Sequence, residues 1–368
     1  MIQRCFLVAV ATPDRDTAYR IFTILNGRGL DLSHADIIKS ELIGRITDEA
    51  DEQLATKRWE GAESELGARE FGDLFSHMRM IYAKEKLRAN VLKEFREQVL
   101  NNVTDPMSFI KDVVVPYADI YARIQTQSWE STEHAESINE ALSWLDRIDN
   151  FDWVPPAMLF IRGHKDSATS IAAFLKALER LAASMYIRRL GINARIDRYG
   201  ALLKEIDKDV DVLAPGSQLD LTDSERTETR ERLNGPVYLD KPRTYILLRL
   251  DRAHNAGGAK YDHKIITVEH VLPQSPDPAS QWVTTFTEEQ RDLWTHRLAN
   301  LLLLPRRKNS AASNYDFGKK KDKYFKGDDG SSPFLLTTQV IEKTTWTPEL
   351  LEARQPELVA KLAPVWDL

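Results

Sequence analysis

One cysteine, Cys5, stands in a chain of 368 residues. That excludes an internal disulfide framework and a cysteine-rich zinc centre, and it fits a reducing, cytoplasmic setting. Long apolar runs are also missing. None approaches the ~18 residues that cross a bilayer, so no membrane partner is expected. The early stretch FLVAVA is too short for a typical signal segment and has no basic cluster before it. Strand-like alternation is scarce, no repeat recurs at a fixed period, and no P-loop, Rossmann fingerprint or His-Glu-x-x-His zinc motif is present. A formal net charge of −6 excludes a chain that coats nucleic acid along its whole surface.

At 368 residues the chain exceeds one ordinary core. From about residue 48 to 255 the apolar positions recur at helical spacing, as in DSATSIAAFLKALERLAASMYIRRL, with breaks at NNVTDP, VPP and LGIN. The charge-dense stretches Lys204–Asp211 and Asp220–Arg232 read as solvated helix faces. Near the N-terminus Asn26 and Arg28 sit in a break between two helical stretches. Ser33 with Asp36 makes a capping-box-like start for the second. Texture changes near 260: KIITV is strand-like, LANLLLL is a second apolar run ended by Pro305, and a polar loop with Trp282 and Trp294 separates them. The tail is helical again, with Pro348 in a first-turn position. The expected fold is mainly α. An irregular helical domain (48–238) follows a helix–turn–helix connector (1–47). A small α+β domain with C-terminal helices (239–368) completes the chain.

Only eight histidines occur, and one, His270, adjoins Glu269 where the strand-like run stops before Pro273. Strand, loop, strand and helix over 264–316 would bring Glu269, His270, Asn300 and Asn309 together as a ββα-metal arrangement, the setting of phosphodiester hydrolysis. A neutral imidazole takes a proton from water, making His270 the general base, with Asn300 as its orienting residue. Glu269 and the amide oxygen of Asn309 are hard oxygen ligands suited to a single Mg²⁺ or Mn²⁺ ion. Asn314 is an alternative ligand. His263 and His296 read as loop histidines. Between Asn300 and Lys326 eight basic residues face two acidic ones, an excess of six in an acidic chain. Arg306, Arg307, Lys308, Lys320 and Lys321 are therefore the expected DNA contacts.

The segments EHVLPQ (269–274) and RLANLLLLPRRKNSAASNYDFGKKKDKYF (297–325) resemble the HNH, or His-Me finger, nuclease domain of GmrSD-type, modification-dependent restriction endonucleases. The Trp346…Arg354…Trp366 tail is similar to the end of that domain. IFTILNGRGLDLSHADIIKSEL (21–42) is similar to the segment that closes the partner NTPase domain of those enzymes. The resemblance implies that residues 1–47 are a remnant of that NTPase-type domain. It also implies a metal-dependent DNA endonuclease acting on modified or foreign DNA in phage defence, with His270 and Asn300 catalytic and Glu269 and Asn309 on the metal. Two departures stand out. Ala299 replaces the family's glycine. The nucleotide-binding Asp-Gly-Gln-Gln-Arg motif is absent, so a partner chain is expected to supply the NTPase half. The alternative is a non-catalytic helical scaffold or DNA-binding subunit with a degenerate nuclease fold.

Overall fold

The computed structural model describes residues 33–254, 266–305, 314–326 and 332–368. The expectations for Asn26, Arg28, His263, Arg306, Arg307, Lys308 and Asn309 fall outside these residues. Chain contacts divide the protein into two compact units, Met1–Thr126 and Gln127–Leu368. Helices dominate the described residues of both, so the fold is mainly α. No helix among the described residues is long and apolar enough to cross a membrane.

In the first unit, α1 (His34–Ile43) opens on the Ser33/Asp36 capping box, in which each side chain bonds the other residue's backbone N–H. Helices α2 (Glu49–Leu66) and α3 (Ala68–Ala83) meet at Gly67, whose φ of 93° suits a residue without Cβ. Their aromatic faces, with Phe95 of α4 (Val91–Gln98), build the core. Trp59 stacks on Phe75 at 5.4 Å, and Phe71 and Phe95 each meet Phe75 edge-on. A buried ion pair, Arg79–Glu94, closes this core at one end. Arg79 also donates to the carbonyls of Glu85 and Lys86, and Glu94 accepts from the N–H groups of Arg88 and Ala89. The pair thus fixes the whole connection between α3 and α4. Helix α5 (Val115–Thr126) completes the unit.

The second unit begins with α6 (Ala135–Asp146), α7 (Val154–Gly163), α8 (Ala168–Ile187), α9 (Ile192–Asp207), α10 (Asp223–Asn234) and α11 (Arg243–His254). Its one buried acidic side chain on α8, Glu179, ties three helices. It accepts from the hydroxyl of Tyr245 on α11 and from Trp366 Nε1 at 3.2 Å, and it pairs with Arg249 at 3.3 Å. Trp366 ends the C-terminal helix α16 (Pro348–Trp366), which starts with Pro348 at its first position and a Thr347 cap.

The sheet is a two-stranded antiparallel pair, β1 (Ile266–His270) and β2 (Leu301–Pro305), with His270 opposite Leu301 and Glu269 opposite Leu302. The connection read as a polar loop contains two short helices, α12 (Gln281–Thr285) and α13 (Glu288–Trp294), the second with a Thr287/Gln290 capping box. Trp282 and Trp294 are buried, and that apolar area is what pins the connection to the sheet. After β2 come α14 (Phe317–Lys320), running on as one wider turn to Phe325, then α15 (Leu335–Ile341) and α16. Phe317, Phe325, Trp346 and Leu351 join the two tryptophans, Leu302 and Leu304 in one core around the strand pair.

Replacing Glu94 with alanine leaves the Arg79 guanidinium buried without its carboxylate and frees two backbone N–H groups. We expect a loss of about 3 kcal/mol or more, read by chemical denaturation of the two proteins side by side.

Candidate active site

His270 is the last residue of β1, and its neighbours come from three directions. Its Nε2 lies 3.2 Å from Nδ1 of His296, and its Nδ1 lies 3.3 Å from Nε2 of Gln274. An amide N–H can only donate, so Nδ1 of His270 is the acceptor and the ring proton sits on Nε2, donated to His296. The ring of Tyr238 closes the third side, 4.0 Å from His270 and stacked near-parallel on His296 at 5.5 Å. Tyr238 is itself held by its own N–H on the carbonyl of His296 and by Arg243, which donates to its carbonyl and lies over its ring. His270 is only 4% exposed, while Gln274 is exposed and His296 half-buried, so those two side chains stand between it and solvent.

Burial drives the His270 pKa down to about 3, helped by the nearby charges of His296, Lys320 and Arg243. Burial also lowers His296. Both imidazoles are therefore neutral near pH 7.

Glu269 points to the other face of the strand, as alternation requires. There Lys320 of α14, fully buried, donates to Glu269 Oε1 at 3.0 Å and to the carbonyl of His270 at 2.7 Å. Burial raises the carboxyl pKa despite Lys320, and it lowers that of the ammonium despite Glu269; the two directions agree that desolvation outweighs the attraction. Lys320 was expected among the DNA-contacting cations. Its zero exposure removes it from that surface and makes it the partner of Glu269 instead. Lys321 stays half-buried and donates to the carbonyl of Lys343.

Asn300 lies just before β2 and is fully buried. Its Oδ1 accepts from the N–H of Leu272 at 2.7 Å and from Trp346 Nε1 at 3.1 Å. Its Nδ2 donates to the carbonyls of Leu272 and Thr295, both at 2.9 Å. All four of its hydrogen-bonding positions are used, and none reaches the imidazole. Asn300 positions His270 through the backbone, clamping the turn after β1 onto the turn before β2, and its own carbonyl accepts from Val271 N–H.

The described residues do not by themselves fit a divalent ion. One oxygen of Glu269 already carries an ammonium, and no group of three or more His, Cys, Asp or Glu is placed to hold a metal among the described residues. Asn314 is exposed in a turn. His296, Gln274, Tyr238 and Arg243 were not singled out as site residues in the sequence.

With this geometry in hand, comparison with known families gives one match. Residues 223–361 match the C-terminal domain of the GmrSD restriction endonucleases. The match contains every element of the cluster around His270, from Tyr238 to Trp346, and it supports a nuclease role in restriction and phage defence. Among curated proteins none matches the chain.

Two outcomes follow. Asn300→Ala leaves the N–H of Leu272 and the indole N–H of Trp346 buried without acceptors, and should cost about 3 kcal/mol or more by chemical denaturation. The depressed His270 pKa makes the unfolded imidazole, near 6.5, protonate first as pH falls. Its contribution is therefore full above pH 6.5 and is lost progressively down to about 3. Between pH 7 and 5 the wild type should lose roughly 2 kcal/mol more than His270→Gln in paired denaturation curves.

Proposed function

We propose that this protein is a restriction-type endonuclease that hydrolyses DNA phosphodiester bonds with His270 as general base. The observation that carries the reading is a neutral imidazole at a strand end whose acceptor nitrogen is covered, among the described residues, by the exposed Gln274, inside the segment that matches the GmrSD C-terminal domain. In this reading a water molecule takes the place of the Gln274 amide at Nδ1. His270 removes its proton as the oxygen attacks phosphorus. The bond from phosphorus to the leaving oxygen breaks, and that oxygen collects a proton from solvent. The positive charge formed on His270 is shared through the Nε2–H···Nδ1 bond with His296. A pKa near 3 describes the ring without substrate; an anionic phosphate beside it raises basicity toward the working range.

Strand β1, strand β2 and α14 then form the ββα unit, with residues 239–368 as the nuclease part, 48–238 as the helical part and 1–47 as the remnant of an NTPase-type domain whose missing half a partner chain supplies. Arg306, Arg307, Lys308 and Lys321 contact the DNA backbone, and Arg243 adds a cation beside the base. Mg²⁺ or Mn²⁺ belongs to this reading through the family resemblance, with Glu269 and Asn309 as its holders. Such an ion neutralises charge on the phosphate. Lys320 must yield an oxygen of Glu269 for it to bind.

A non-catalytic scaffold is the second reading, favoured by that same Lys320–Glu269 pair. Plasmid cleavage decides between them. His270→Ala is expected to abolish cleavage, and His296→Ala to reduce it by about 10²-fold or more while leaving DNA retention unchanged. Equal cleavage by wild type and His270→Ala, or none by the wild type on modified and unmodified DNA with Mg²⁺ or Mn²⁺, moves the assignment to the scaffold.

A further inference from the structure

A second polar centre lies away from His270, between the end of α11, α15 and α16. It borders a cavity of about 640 Å³ lined by His254, Gln339, Arg354, Leu358, Lys361 and Pro364, among others. Arg354 is 6% exposed. Its Nη1 donates to Gln339 Oε1 at 3.3 Å, but among the described residues Nε and Nη2 are buried with no acceptor. The other end of the same glutamine amide, Nε2, lies 3.1 Å from Nδ1 of His254. Because that amide nitrogen donates, His254 carries its proton on Nε2, and Nε2 is also buried without a partner among the described residues. Gln339 thus sets two side chains so that three donor nitrogens are left over together, with no acceptor among the described residues.

Surplus buried donors are costly, and a buried guanidinium is more so. Burial pushes the Arg354 pKa down to about 10, with Glu357 pulling the other way. Burial also lowers His254, with Lys361 and Arg354 adding to the effect. The missing component is an acceptor with negative charge. Water supplies acceptors but no charge. The carboxylates of Glu342 and Glu357 also border the cavity, and Glu357 acts on Arg354 electrostatically, yet among the described residues no carboxylate accepts from Nε or Nη2. Lys361, exposed on the same rim, adds a cation, while Leu358 and Pro364 offer an apolar wall. The volume is in the range of small-molecule sites.

We propose that this cavity binds a phosphate group, as free phosphate or as the monoester of a small molecule, with Arg354, His254 and Lys361 as its ligands. Phosphate oxygens are acceptors only, and one tetrahedral group meets donors arriving from two helices at once. The site is independent of the cleavage reading, since it shares no residue with the cluster around His270.

The test is calorimetric titration of the full chain with inorganic phosphate, then with phenyl phosphate, at constant ionic strength held with chloride. The expected result is saturable one-to-one binding that Arg354→Met abolishes and Lys361→Ala weakens about tenfold or more. Tighter binding of phenyl phosphate than of phosphate identifies a monoester site; equal binding identifies free phosphate as the ligand. Lys361 is exposed, so its alanine variant reports on binding even where Arg354→Met does not fold. Absence of saturable binding by the wild type, or wild-type affinity in Lys361→Ala, overturns the proposal. Neither outcome touches the His270 reading, which is tested by cleavage.

Discussion

Four hydrogen bonds on one asparagine hold the region around His270 together. Asn300 is fully buried, and both ends of its amide are committed to backbone on either side of the strand pair and to the indole of Trp346. An amide side chain is the group that can both give and accept twice in so small a volume. The constraint propagates outward. With Leu272 fixed, the chain leaves β1 at His270 in one direction only, and Gln274 falls over the imidazole. With Thr295 fixed, His296 stands against Nε2 of His270. The neighbouring residues are locked in the same manner, since Gln355 accepts from Ala299 N–H and donates to the carbonyl of Leu233.

Desolvation governs the electrostatics on both faces of β1. On one face it keeps two imidazoles neutral and in hydrogen-bond contact, an arrangement that two charged rings would not tolerate. On the other face it sets Glu269 against Lys320, a pair retained through geometry: the ammonium also reaches the carbonyl of His270. Lys320 therefore touches the strand at the residue whose side chain carries the proposed chemistry.

Local signals in the sequence were legible where local physics decides. The Ser33/Asp36 cap, the Pro348 start, the helical periodicity of α8 and the β-branched run of β1 all depend on near neighbours. The strand end at Glu269 and His270 was legible because the β-branched run stops just before Pro273. Contacts across sequence distance were not. His296 reads as a loop histidine until α12 and α13 bury Trp282 and Trp294 and carry it 26 positions back to His270. Lys320 sits in a run of cations and reads as solvated, yet the turn from α14 into the wider coil faces it inward while Lys319 stays on the surface over Tyr315. Arg188, just past the end of α8, is buried and pairs with Glu225 and Glu228 of α10. A charge run has no register until a tertiary surface supplies one.

The two histidine–glutamine contacts in the second unit show what that register can encode. At Gln274–His270 the amide covers an acceptor, and the ring's donor finds His296, so the pair is complete and waits for a proton. At Gln339–His254 the same chemistry leaves the donor on Nε2 with nothing among the described residues to receive it, beside a guanidinium in the same position. One site holds a neutral ring with a replaceable cover. The other holds a concentration of unmet N–H groups. A base requires the first arrangement and an anion the second, and the difference rests on which neighbours the fold supplies to otherwise identical side chains.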